Sequence, residues 1–255
     1  MNSIDTPYVR WTFAVLAHIG LVVAWYLFVE IGQVPKFVMP SPQATLNALL
    51  NPDYGWWTNI RVTATEIFGG YLLALVVGVM LALIFTWSRI LESLCLPLLV
   101  TLNMIPKVAL GPLIIVWFKY GVFPNTMMAF SIAVFPILLT TARGLREIEP
   151  DLLDLVRSLR GSRWQLFTKI QLPGALPYIF SGMKVAAILA VAGAIVGEFL
   201  GSDKGLGYLM LQVQVTLDTP AMFMAVVLIT LIGMLLYGLV MLLERLLVAR
   251  DARLS

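Results

Sequence analysis

Charge is what this 255-residue chain has least of: Asp, Glu, Lys and Arg make up 12% of it, while 60% is hydrophobic and the mean hydropathy is +0.92. A soluble domain carries about 25% charged residues. Half that density cannot coat a globule of this size, which excludes an ordinary soluble enzyme. The single cysteine, Cys95, permits no intramolecular disulfide, and its setting in the apolar run LESLCLPLLV marks it as a buried, inert thiol. The single histidine, His18, cannot build a His-rich metal site and reads as a helix-packing imidazole. No Gly-Lys-Ser/Thr occurs, so there is no phosphate loop of the Walker type. Gly205-Leu206-Gly207 follows no strand and supports no dinucleotide site. A net charge of +3 is too small for a nucleic-acid partner.

What the chain does have is long apolar runs. Six stand out, over about 11–31, 64–87, 94–118, 126–142, 177–200 and 221–248, each near the roughly 20 residues that a helical bilayer crossing needs. The expected fold is therefore all-α: one polytopic membrane domain over 1–255 with six transmembrane helices. The first run is too long for a signal-peptide core and lacks a small-residue cleavage site, so it reads as a retained helix. The third is broken by Pro97, Pro106, Gly111 and Pro112. Such breaks survive in lipid only where protein or a water-filled cavity satisfies the freed backbone groups. With the N-terminus inside, eleven of the 17 basic residues fall on the cytoplasmic side. Lys36, Arg61, Lys119 and Lys204 fall outside, and Lys107 and Lys184 lie within apolar segments. That bias follows the positive-inside rule and places both termini in the cytoplasm.

The longest charged stretch, 143–176, joins the fourth and fifth segments. Pro150 suits a first helical position, and Asp151 and Asp154 favour the positive end of the helix dipole. Leu152, Leu155, Val156 and Leu159 recur at i, i+3, i+4 and i+7 as one apolar stripe. Gly161 is placed to end that helix in a left-handed conformation. Ser162 and Gln165 form a capping-box pair for a second helix, Trp164, Phe167 and Ile170 give it an apolar face, and Leu172-Pro173 is expected to stop it. Two short amphipathic helices joined by a glycine turn either rest on lipid headgroups or form a docking knob for a cytoplasmic partner.

The loop resembles the EAA loop of the inner-membrane permease subunits of bacterial binding-protein-dependent ABC importers: Glu-Ala-Ala, three residues, Gly, nine residues, Ile, one residue, Leu-Pro. With Ile170-Gln171-Leu172-Pro173 in register, the Glu-Ala-Ala positions fall on Asp154-Leu155-Val156 and the glycine position on Arg160. Asp stands in place of Glu, and the glycine is displaced by one, to Gly161. The resemblance extends over about 58–245, where SRWQLFTKIQLPGALPYIFSGMKVA, EFLGSDKGLGYLM and IPKVALGPLIIVWF resemble the nitrate/sulfonate/taurine branch. It implies a type I importer permease in the inner (plasma) membrane of a bacterium. By the same resemblance, ATP and Mg are bound and hydrolysed by a separate cytoplasmic ATP-binding subunit, so this chain carries no cofactor and is not itself the enzyme. The remaining implied partners are a periplasmic or extracellular solute-binding protein, a second copy of the chain in a homodimer, and membrane lipid. The coupling residues implied are Asp154, Leu155, Val156, Leu159, Arg160, Gly161, Ser162, Trp164, Phe167, Ile170, Leu172 and Pro173.

Small residues crowd the fifth segment, with Gly193, Gly197 and Gly201 at small-xxx-small spacing, suited either to tight packing within the chain or to a subunit interface at the pore. Lys107, deep in the broken third segment, is a costly charge that faces a cavity or answers freed carbonyls. Lys107, Asn103 and Glu198 are taken as polar residues of the translocation path, and Lys184 as a snorkelling lysine. Trp56, Trp57 and Tyr208, in the outer segments 33–59 and 202–219, are expected as interfacial anchors. The expected cargo is a small polar organic or anionic solute, a sulfonate, taurine, nitrate or a pyrimidine-like compound, and IPKVALGPL leans to the last. Two other classes compete. An integral membrane enzyme needs converging acid–base groups, which one histidine does not supply. A secondary transporter typically shows repeated broken helices, and the halves share no convincing repeat.

Overall fold

A computed structural model of the chain describes residues 7–147, 152, 154, 156 and 158–248, with the side chains of 7–11, 14 and 115 left aside. Pro150, Asp151 and Leu155, named above, and Arg157, Arg250 and Arg253, three of the eleven basic residues counted as cytoplasmic, lie outside the described residues. The described residues are helical and turn structure without strands. We number the helices α1 (Pro7–Ile31), α2 (Pro42–Asn47), α3 (Trp56–Trp87), α4 (Arg89–Met104), α5 (Lys107–Phe118), α6 (Val122–Gly144), α7 (Arg163–Leu166), α8 (Leu172–Gly201), α9 (Leu206–Val215) and α10 (Thr219–Leu247). A π-helical turn, Phe167–Gln171, joins α7 to α8.

Among the described residues, four helical stretches are long and apolar enough to cross a membrane: Pro52–Trp87, Val122–Gly144, Arg163–Gly201 and Thr219–Leu247. The expected third segment is instead a pair of helices, α4 and α5, bent by 84°. The physical cause lies at Pro106, whose ring disfavours helical backbone in the residue before it. Ile105 accordingly sits at φ −63°, ψ 124°. The expected first span lies within α1, Pro7–Ile31, whose part Val15–Ile31 is apolar and on which His18 is exposed.

The chain divides into two compact units, Met1–Trp56 with Leu209–Leu228, and Trp57–Tyr208 with Ile229–Ser255. In the first, polar side chains tie the segments that flank α2. Trp25 donates through Nε1 to the Pro40 carbonyl at 3.0 Å and its ring lies 5.8 Å from Phe223. Thr219 donates to the Phe37 carbonyl at 2.7 Å, and the Tyr54 hydroxyl donates to the Asp218 carboxylate. Trp56 is buried, its Nε1 donating to Ala48 at 3.1 Å. It is a packing residue where an interfacial anchor was expected, whereas Trp57 is exposed.

The second unit is built on α3, α6 and α8. Small residues let these backbones approach closely, as in membrane helix packing generally. A Cβ on Gly70 would lie 2.5 Å from that of Ala129, one on Gly193 would lie 2.7 Å from Ala129 Cα, and one on Gly197 would lie 2.8 Å from Asn125 Oδ1. The glycines of the fifth segment therefore pack within the chain. Ile67, Ala74, Met128, Ala133, Ile137, Ala186, Ala190 and Ala194 fill the space between. Cys95 is half-buried and packs against the Ala82, Phe85 and Leu138 cluster. Lys184, expected to snorkel, pairs with Glu244 of α10 at 3.1 Å in a partly buried setting that rewards a partner over solvent. Large apolar side chains remain exposed along these helices, among them Leu72, Val76, Ile188, Leu231, Leu235 and Leu246, as lipid-facing helices require.

Candidate functional site: the loop knob, the broken-helix cavity and a buried carboxyl network

The loop between α6 and α7 begins from a fixed stem. Leu145 is fully buried, and Gln171 Nε2 donates to its carbonyl at 3.4 Å. Arg143 bridges Glu147 at 3.1 Å, and Arg146 pairs with Glu92 of α4. Hydrogen bonding from the Tyr178 hydroxyl, and then from Arg143, holds the exposed Glu147 carboxyl below its ordinary pKa.

Residues 152, 154, 156 and 158 are helical, and that helix ends in a Schellman turn. Gly161 N–H bonds the Val156 carbonyl at 2.9 Å, the 6→1 bond of that motif. The left-handed residue, however, is Arg160 at φ 54°, not Gly161. This corrects the sequence reading by one position. Arg160 occupies the glycine position of the EAA pattern, and the backbone there adopts the conformation that glycine favours. Gly161 is needed for a different reason, since a Cβ on it would lie 2.6 Å from Val156 Cγ1. Ser162 and Gln165 form the full capping box, with Gln165 N to Ser162 Oγ at 3.2 Å and Ser162 N to Gln165 Oε1 at 2.8 Å.

Leu172-Pro173 does not stop the second helix. Arg163–Gly201 runs as one helix of 39 residues. The π-turn, whose Leu172 N–H reaches back to the Phe167 carbonyl, absorbs the bonding pattern that Pro173 would otherwise break. The coupling residues divide by exposure. Asp154, Leu159, Arg160, Gly161, Ser162, Trp164 and Pro173 are exposed, Val156, Ile170 and Leu172 are half-buried, and Phe167 is buried. Phe167 packs edge-on against Trp87 of α3 at 5.6 Å and lies 5.8 Å from Trp164. It ties the knob to the bundle while Leu159 and Trp164 point outward.

Two of the three residues assigned to the path come together. Asn103 and Lys107 line one cavity of about 450 Å³ at the α4–α5 break. Lys107 Nζ donates to the Leu102 carbonyl at 2.9 Å, a carbonyl at the end of α4 that also accepts from Ile105 N–H at 3.4 Å.

Glu198 lies elsewhere. It is 1% exposed, accepts from the Thr63 hydroxyl at 2.5 Å and from Gly207 N–H, and lies beside the Glu66 carboxyl. Glu66, also buried, accepts from Asn125 Nδ2 at 2.9 Å. The same cluster pins the segment after α8: Gly205 N–H donates to Asn59 Oδ1 and Leu206 N–H to Thr63 Oγ1, both at 2.8 Å. Sequence reasoning missed Glu66, Thr63, Asn59 and Asn125. An acidic residue inside the apolar run 64–87 was the available signal, because ionisable groups in such runs have partners.

A bundle of apolar helices with exposed hydrophobic flanks, a helical knob and a polar-rimmed cavity at a broken helix defines a membrane transport subunit. The chain belongs to the family of binding-protein-dependent transport system inner membrane components, whose profile matches residues 74–250. It is 36% identical over 240 residues to the riboflavin transport system permease protein RibX of Chloroflexus aurantiacus, covering 91% of this chain and 87% of that one. It is 31% identical over 229 residues to the formylaminopyrimidine transport permease protein ThiX of Halalkalibacterium halodurans, covering 89% and 91%. Among solved structures, the inward-facing MetNI methionine ABC transporter has a chain that superposes with a TM-score of 0.56 at 19% identity. The match covers 73% of this chain and 96% of that one and supports the fold of a type I ABC importer permease.

Proposed function

We propose that this importer permease works as a single six-span membrane domain in the inner (plasma) membrane of a bacterium, with both termini in the cytoplasm, and as a homodimer of two copies. A separate subunit binds ATP and Mg and supplies the hydrolysis, an external solute-binding protein delivers the cargo, and lipid surrounds the apolar flanks. The loop knob is the coupling element. The observation that supports this reading is a doubly capped turn that leaves Leu159 and Trp164 exposed. A flexible loop would absorb a partner's movement, whereas a capped turn tied in by Phe167 transmits it. Asp154, Val156, Arg160, Gly161 and Ser162 shape the contact, with Leu155 expected on the same face. Ile170, Leu172 and Pro173 join it to α8.

Asn103 and Lys107 line the path, and Glu198 supports it from behind by fixing the segment after α8. The cargo is a small polar organic solute of the kind named for ThiX and RibX, with sulfonates, taurine and nitrate as the anionic alternatives. Reconstitution with the ATP-binding and solute-binding partners tests the reading. Uptake should require ATP, and Gly161→Val should keep membrane insertion and hydrolysis while losing uptake. Unchanged uptake in that variant, or uptake driven by an ion gradient alone, would overturn it.

A further inference from the structure

We infer that the cavity at the α4–α5 break is itself a solute-binding waypoint for a flat nitrogen heterocycle with carbonyl and amino edges. The inference rests on the importer reading above and adds a site of selectivity within the permease.

Three features of the cavity carry it. Its volume, about 450 Å³, lies within the roughly 300–1,000 Å³ of small-molecule sites, which are mainly apolar with a few placed polar groups. Its apolar surfaces come from Met104, Phe135 and Leu189, and its side-chain donors from Asn103 and Lys107. Lys107 spends one N–H on Leu102 and, as an ammonium, has two more.

The third feature is a pair of backbone acceptors. Proline supplies no N–H to the carbonyl four residues earlier. Pro112 in α5 and Pro136 in α6 therefore deprive Val108 and Ile132 of their usual helical donors, and both residues line this cavity. Donor side chains and two residues whose carbonyls lack their usual helical partner thus line one mainly apolar cavity with one aromatic ring.

A heterocycle with alternating carbonyl and amino groups answers both kinds of group at its edge and stacks on Phe135 with its face. A sulfonate does not. Its three oxygens share one negative charge and need several charge-assisted donors, and here they would meet one shared ammonium, the neutral Asn103 amide and apolar walls.

The test uses the full chain assembled with its ATP-binding subunit in nanodiscs, without the solute-binding protein. The probes are riboflavin, read by fluorescence quenching, and radiolabelled formylaminopyrimidine, with taurine as the charged control. At least one heterocycle should bind saturably and more tightly than taurine. Phe135→Leu and Asn103→Ala should each weaken it about tenfold or more, and Lys107→Arg should keep affinity that Lys107→Gln loses. A complex that hydrolyses ATP yet binds neither heterocycle, binds taurine as tightly, or shows unaltered affinity in these variants overturns the waypoint alone. A chain that captures no ATP-binding subunit overturns the importer reading, and the waypoint with it.

Discussion

The two ends of the helix that runs from Arg163 to Gly201 are built on opposite principles. At the Gly201 end, Glu198, Glu66, Thr63 and Asn125 are buried and spend their hydrogen bonds on one another and on the segment that follows. At the Arg163 end, backbone capping sets the shape, and Leu159 and Trp164 stay exposed. Buried polar groups are costly when left without partners, so the first end is held mainly by bonds among its own atoms, with Glu66 Oε2 left without a hydrogen-bond partner among the described residues. The second is ordered locally and leaves apolar side chains exposed. One end turns its polar groups inward, and the other presents apolar groups outward.

Substitutions can break that contrast. The largest effect is expected at Gly205, which combines φ +114° with a Cβ position 2.4 Å from the Glu198 carboxyl carbon. Gly205→Val should cost about 3 kcal/mol or more through strain and clash, read as loss of the monodisperse peak in detergent chromatography. Glu198→Ala should cost about 1–3 kcal/mol by stranding Gly207 N–H and the Thr63 hydroxyl. Thermal unfolding of the purified chain would show it, and a melting curve identical to wild type would count against the network.

At the other end the effects on stability shrink while those on coupling grow. Arg160→Gly should stabilise the turn by about 0.5–1 kcal/mol, because the residue already sits at φ 54°, and a small rise in melting temperature would register it. Trp164→Ser, at an exposed position, should change stability by no more than about 0.5 kcal/mol yet weaken capture of the ATP-binding subunit in a pull-down. If Trp164→Ser destabilised the chain as much as Glu198→Ala, the contrast between the ends would fail.

The legibility of the sequence follows the same divide. The capping box was readable because it is a local pattern of residue types, and the structure forms both of its hydrogen bonds. The left-handed position was misplaced by one. Glycine can serve either φ or close approach, and spacing does not say which. Gly161 serves approach to Val156, leaving the strained backbone to Arg160. The stop expected at Leu172-Pro173 failed because a π-turn is a bonding arrangement with no residue signature of its own. Glu66 went unread because its partners come from residues 59 and 132 positions away along the chain, a proximity that only folding creates.

That π-turn, Phe167–Gln171, has a further consequence. A π-turn accommodates one residue more than the α-helical path, and each α-helical residue turns the helix by about 100°. The faces before and after it are therefore out of phase, so that Trp164 points outward while the α8 glycines still meet α6. Deleting one residue within 167–171 would reset the phase and swing one set of side chains away from its target without shortening either helix. The turn sets the angular relation between the exposed loop surface and the surface that packs the bundle.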